Sequence, residues 1–158
     1  MPVISGGVVG QPGQILFAEC TFAETTGAGV YTGSVTVPGN SWLLDIKLFN
    51  TVYWTATTTA LMDIGDADDP DGWFTQIDLK ATDIVAGTNA EVIDFNNPGG
   101  QEGAYLVTAT GERALMYAAT ERVISGIVTT VGAAGNAGRS RMVVLYTDPT
   151  IPTVAAKV

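Results

Sequence analysis

From Ser41 the side chains alternate one by one between two faces. Trp42, Leu44, Ile46 and Leu48 point one way, and Leu43, Asp45, Lys47 and Phe49 point the other. A period of two is the signature of a β-strand. Wound as a helix, the same residues would put Asp45 and Lys47 on faces that also carry Leu and Ile. The strand reading instead predicts a fully apolar core face of Trp42, Leu44, Ile46 and Leu48.

The same texture recurs along the chain in short pieces. Strands are predicted at Gln14 to Glu19, Val30 to Val37, Val52 to Thr57, Ala60 to Ile64, Trp73 to Ile77, Glu91 to Phe95, Ala104 to Ala109, Arg113 to Ala119, Arg122 to Thr130 and Arg141 to Thr147. Between them stand turn-forming clusters, among them Pro38-Gly39-Asn40, Asp66 to Gly72, Asn96 to Gly103 and Gly132 to Gly138. Only Leu79 to Val85 tolerates a single helical turn. Many short strands so punctuated predict an all-β, antiparallel β-sandwich, jelly-roll-like.

Three regions are expected. Residues 1–40, rich in Gly, Pro, Thr and Val and without Lys or Arg, read as an extended N-terminal arm with short strands. Residues 41–147 read as the sandwich domain. Residues 148–158 begin Asp148-Pro149-Thr150-Ile151-Pro152, which suits neither a helix nor a central strand, and read as a C-terminal arm. A chain of 158 residues can bury roughly 70% of its unfolded surface, so neither disulfide nor metal is needed to fold it.

Charge and composition exclude several functions. The net charge is −9, so the clustered Lys and Arg that displace counterions from phosphate are absent, and no nucleic-acid partner is expected. Apolar runs such as Met142 to Tyr146 are strand-length, so no membrane partner is expected either. The start, Met-Pro-Val-Ile-Ser, lacks the basic and apolar regions of a signal peptide, which points to synthesis in a cytoplasm.

Catalytic chemistry is short of parts. There is no histidine, and Cys20 stands alone, with no base to make it a thiolate and no second sulfur to share a metal. The glycines of Gly132 to Gly138 are followed by the β-branched alternation of Arg139 to Tyr146. They therefore make a hairpin connection, not the helix start a nucleotide loop requires. Asp66, Asp68, Asp69 and Asp71 crowd one loop, the wrong arrangement for two carboxyls across a cleft. Calcium suits the loop better, but Pro70 and Asp71 occupy the fifth ligand position and the invariant-glycine position of the calcium-loop pattern, and Ile77 occupies the twelfth. A solvated turn is the reading adopted. No enzyme activity, metal site or cofactor is expected.

Candidate interface residues are Trp73, Phe74, Arg139 and Arg141. Adjacent aromatics on a strand face opposite sides, so one of Trp73 and Phe74 can meet a second sheet or another subunit. Arg139 and Arg141 share one side of a strand in a chain poor in bases. They are natural mates for the acidic loop of this or a neighbouring subunit.

Two segments, DGWFTQIDLKATD (71–83) and SGIVTTVGAAGNAGRSRMVVLYT (125–147), carry a resemblance, with SWLLDIKLFNTVYW and GDADDPDG in matching order. They resemble small tailed-bacteriophage structural proteins, the capsid decoration or cement proteins. The resemblance covers 41–147 and involves no catalytic signature. It implies a virion protein on the capsid exterior, partnered by the major capsid protein and by itself as a homotrimer, stabilising the icosahedral shell by bridging subunits. A carbohydrate-binding β-sandwich, a head-fibre or tail adhesin module stacking sugars on Trp73, Trp54, Tyr53 or Tyr31, is the competing reading. A neck or tail structural protein is a third.

Overall fold

A computed structural model describes residues 14–27, 29–85, 92–107 and 115–147. They form eight strands: β1 (Ile15–Ala23), β2 (Val30–Val37), β3 (Ser41–Val52), β4 (Thr59–Gly65), β5 (Phe74–Asp78), β6 (Tyr117–Ala118), β7 (Arg122–Val131) and β8 (Arg139–Thr147). No helix occurs among the described residues.

One sheet (sheet A) has the order β1-β8-β3-β6 and the other (sheet B) β2-β7-β4-β5, with every strand pair antiparallel. Every step of the chain except β4 to β5 thus crosses between the two layers, which is the jelly-roll order of an eight-stranded double Greek key. The expected sandwich is present. Within 1–40, read as an arm with short strands, β1 pairs with β8 along its whole length and β2 likewise with β7. Residues 1–13 and 148–158, the outer parts of the two expected arms, lie outside the described residues.

Between the sheets, Val35, Val37, Leu43, Ile46, Leu48, Met62, Ile64, Ile77, Ile124, Val128, Met142 and Val144 pack into one buried cluster. Alternation explains most of it: in β4, β7 and β8 every second residue is buried. In β3 the alternation slips. Leu43 pairs with Tyr146 and Asp45 with Leu145, so Leu44 is an extra residue in a β-bulge. The slip reverses the faces on one side of it. Ile46 and Leu48 are core residues as expected, but Trp42 is 54% and Leu44 39% exposed, while Leu43 is buried. The core face predicted from Trp42 and Leu44 is therefore corrected: a bulge shifts the phase of a period-two pattern, and the apolar residues on both faces of Trp42 to Leu44 hide the shift.

A second bulge reshapes β5. Ile64 pairs with Phe74 and Met62 with Ile77, so β5 carries an extra residue, and Gln76 takes φ 53° with its N–H donated to Asp63 Oδ1 at 2.7 Å. Phe74 and Ile77 consequently both reach the core although three residues apart.

Several predicted strands are irregular chain. Residues 53–57 leave β3 without pairing, because the loop is tied to Glu24 and to residues 131–133 instead. Residues 92–95 make one bridge, Ile93 with Leu48, and Glu91 lies outside the described residues. Residues 104–107 form a turn, and among the described residues 115–119 Tyr117–Ala118 pairs; residues 108–109 and 113–114 of these two expected strands lie outside the described residues. Leu79 to Val85 makes turns without a helical one.

Candidate interaction surface

The side chains bearing on function divide into those that hold the loops and those that face outward. Glu24, just past the end of β1, is a buried carboxylate at 1% exposure. Its carboxylate accepts the N–H groups of Thr55 (3.0 Å), Ala56 (2.8 Å) and Gly138 (3.0 Å) and the Thr55 hydroxyl (2.8 Å). Burial pushes its carboxyl up, but the four donated bonds outweigh that and hold it below the usual carboxylate range. One anion thereby pins the 53–57 loop and the Gly132 to Gly138 connection to the end of β1. The sequence shows Glu24 only as an acidic residue after a strand; its partners come from residues 31 and more positions away.

A second buried chain joins the two sheets. Trp54 Nε1 donates to Ser140 Oγ (2.7 Å), Ser140 Oγ to Asn50 Oδ1 (2.6 Å), and Asn50 Nδ2 to the Leu79 carbonyl (2.7 Å).

The acidic loop is closed on itself. Asp66 Oδ1 accepts the N–H groups of Asp68 (3.0 Å) and Asp69 (3.1 Å) and the Tyr105 hydroxyl (3.0 Å). Burial and the Asp66 carboxylate push the Tyr105 phenol up to about 12, so it stays a donor at any ordinary pH. Asp69 is raised by its hydrogen bond with Asp71. Among the described residues no group of three or more carboxylates or sulfurs is placed to hold a metal ion.

Of the candidate interface residues, Trp73 and Phe74 are both fully buried. Phe95 lies against each, with centroids at 5.6 Å and 6.0 Å, and Tyr105 meets Trp73 edge-on at 4.9 Å. Both rings are thus covered by this chain's own Phe95, and Trp73 by Tyr105 as well. Arg139 and Arg141 share the outer face of sheet A. Arg139 donates to the Gly138 (2.7 Å) and Ala137 (3.1 Å) carbonyls. Arg141 pairs with Glu19 and lies 5.7 Å over the Phe49 ring. Neither arginine is bonded to the acidic loop of its own chain; the base that feels Asp66 is Arg122.

What faces outward is a platform that the strand pattern hid. Trp42 of β3 and Tyr117 of β6 are register partners whose rings meet at 5.2 Å, and both are about half exposed. The Trp42 backbone N–H donates to Thr147 Oγ1 (2.9 Å), which fixes the strand there, and the Tyr117 hydroxyl donates to Asn40 Oδ1 (3.2 Å), which holds the Tyr117 ring. Leu44, pushed outward by the bulge, and Leu115 flank them. Leu115 sits at φ 56°, a conformation rare for a branched side chain, and the Arg122 guanidinium bonds its carbonyl and that of Met116. Farther along β3, Lys47 bridges Asp45 (2.8 Å) and Asp94 (2.9 Å), which raise its ammonium pKa. A mutually packed, half-exposed aromatic pair has the make-up of a protein-contact patch.

The fold has solved counterparts. The chain is similar to a chain in the acidic stable capsid structure of Helicobacter pylori bacteriophage KHP30, with a TM-score of 0.54, 20% identity, and 86% of this chain and 89% of that one covered. It also aligns with a chain of the cyanophage Pam1 capsid asymmetric unit, at TM-score 0.49 and 19% identity, over 87% of each chain. No protein-family model matches the chain, and no curated protein matches its sequence. At this identity the first likeness establishes a shared fold across nearly the whole of both chains.

Proposed function

We propose that this chain is a structural, non-catalytic protein of a tailed-phage virion, which attaches to the outside of the assembled capsid and stabilises it by bridging shell subunits. The observation that carries the reading is the match to a chain of a capsid structure over 86% of this chain and 89% of that one. The segments 71–83 and 125–147, which resemble decoration proteins, support it independently. The Trp42–Tyr117 platform is the patch suited to the shell protein, because its rings pack together and stay about half exposed. Binding that requires the assembled shell stabilises that state by mass action. The chain does so as a trimer, the copy number that the resemblance implies.

The sugar-binding alternative loses its main residues. Trp54 and Trp73 are fully buried, and Tyr31 packs edge-on against Trp54, which leaves Tyr53 at 39% exposure.

The test is to mix the purified protein with phage heads that lack it and to sediment the heads. Co-sedimentation that saturates, and that weakens at least tenfold for Trp42→Ser with Tyr117→Ser, is expected. Failure of the unaltered protein to sediment with heads overturns the reading.

A further inference from the structure

The odd-numbered residues of β1 and β8 share the outer face of sheet A, opposite the buried Phe22, Met142 and Val144. Ile15 pairs there with Thr147 and Phe17 with Leu145. Beyond the bulge, β3 and β6 add Leu44, Trp42 and Tyr117 to the same face. The Trp42–Tyr117 platform is thus one corner of a larger apolar field that crosses all four strands. Ile15, Phe17, Trp42, Leu44 and Tyr117 are each at least 39% exposed. Glu19 on β1 and Asp45 and Lys47 on β3 bound the field. A contiguous apolar patch of this kind marks a contact surface.

Residues 148–158 begin at this field. Thr147, which ends β8, pairs with Ile15 on one side and accepts the Trp42 backbone N–H on the other, so the chain leaves the sheet between two of the exposed apolar side chains. The residues that follow read DPTIPTVAAKV. At about 3.3 Å per residue they reach about 36 Å when extended. The field runs about 13 Å along the strands, from Thr147 to Val143, and about 14 Å across four strands, so the segment is long enough to turn back and cover it.

The chemistry of the segment suits a sheet face. Pro149 and Pro152 have no N–H to give to a ladder, which counts against pairing along a sheet edge, whereas packing on a face needs no backbone bonds. Segments with the Pro-x-x-Pro spacing dock on exposed aromatic rings, since the polyproline backbone carries no internal hydrogen bonds and loses little entropy on docking. Pro149-Thr150-Ile151-Pro152 has that spacing, and Trp42 and Tyr117 are such rings. Charge agrees. Asp148 and Lys157 balance, so the segment approaches without the repulsion that meets a second copy with a net charge of −9. A segment tethered beside its site is also present there at an effective concentration of about millimolar, which a separate molecule must match to compete.

We infer that residues 148–158 fold back as a strap over the outer face of sheet A in their own chain, with Pro149 to Pro152 seated on the Trp42–Tyr117 pair. The inference goes beyond the shell-binding reading, in which the shell has to displace the strap, and it is tested on the free protein, so the two stand or fall separately. Trp42 is the reporter, because Trp54 and Trp73 are fully buried. Its emission is the difference between a protein and the same protein carrying Trp42→Phe. In the unaltered chain this emission is expected to be blue-shifted and protected from acrylamide. In Ile151→Asp/Pro152→Ser it is expected to shift to the red and lose that protection, equally at low and high protein concentration. Circular dichroism would establish that the variant is folded; should it not fold, Ile151→Ser alone takes its place. Three results overturn the inference: a Trp42 as quenchable in the unaltered chain as in the variant, protection that grows with protein concentration and so comes from a second copy, or protection that survives the 151/152 variant and is lost in Val3→Asp/Ile4→Asp.

Discussion

A carboxylate out of water is stable only when hydrogen bonds replace its hydration, and Glu24 has four of them without a neighbouring cation side chain bonded to its carboxylate. Glutamine at this position keeps the shape but offers one acceptor oxygen where two are used, and turns an NH₂ toward backbone N–H groups. Glu24→Gln is expected to cost about 2 kcal/mol, a fall in Tm of about 6 °C. The pH dependence follows from the direction of the shift. The folded carboxyl lies below its unfolded value of 4.5, so its contribution is fully present above that pH and lost as pH falls through the lower folded value. Thermal melts from neutral pH into acid check this: the gap between the two proteins should be largest near neutrality and close in acid. A gap that is constant with pH would contradict the assignment.

Among the elements, β3 shows how a single extra residue redirects a surface. Without the Leu44 bulge, Trp42 would lie in the core and Leu43 outside, and the Trp42–Tyr117 platform would not exist. Truncation tests the assignment directly. Leu43→Ala removes a buried side chain and is expected to cost about 3 kcal/mol, whereas Leu44→Ala should cost less than about 1 kcal/mol. Urea melts of the two variants distinguish the bulged strand from the uninterrupted alternation, which demands the reverse order. The alternation itself is plain in β2, β4, β7 and β8, whose bounds match the predicted strands within two residues. It fails at 53–57, 92–95 and 104–107. There apolar residues such as Trp54, Ile93, Phe95 and Tyr105 are recruited as covers for a core built elsewhere. Period alone does not separate a cover from a strand.

For the molecule as a whole, the jelly-roll order makes nearly every pairing non-local. Ile15 pairs with Thr147 and Val30 with Thr129, so neither sheet closes until both ends of the chain are in place. Such topologies fold slowly, because loop closure precedes the contacts that reward it. Stopped-flow refolding is expected to fall in the range of about milliseconds to seconds. Equilibrium unfolding should show coincident transitions by tryptophan fluorescence and circular dichroism, because the Trp54–Ser140–Asn50–Leu79 chain ties one sheet to the other. Separate transitions would mean that the layers unfold independently.

The alternation of Val, Ile, Thr and aromatic residues, broken by Gly, Pro, Asn and Asp, decided by itself that this chain is all-β and layered. Those preferences are local, set by backbone sterics and by one apolar face per strand. The lack of histidine narrowed the chemistry without any structure. Tertiary structure decided what local rules leave open: which face of β3 is inside, that Trp73 and Phe74 are both covered, and that Glu24 is a clasp. Each of these depends on residues tens of positions apart in the chain, and the register that joins them is settled only when the two sheets pack.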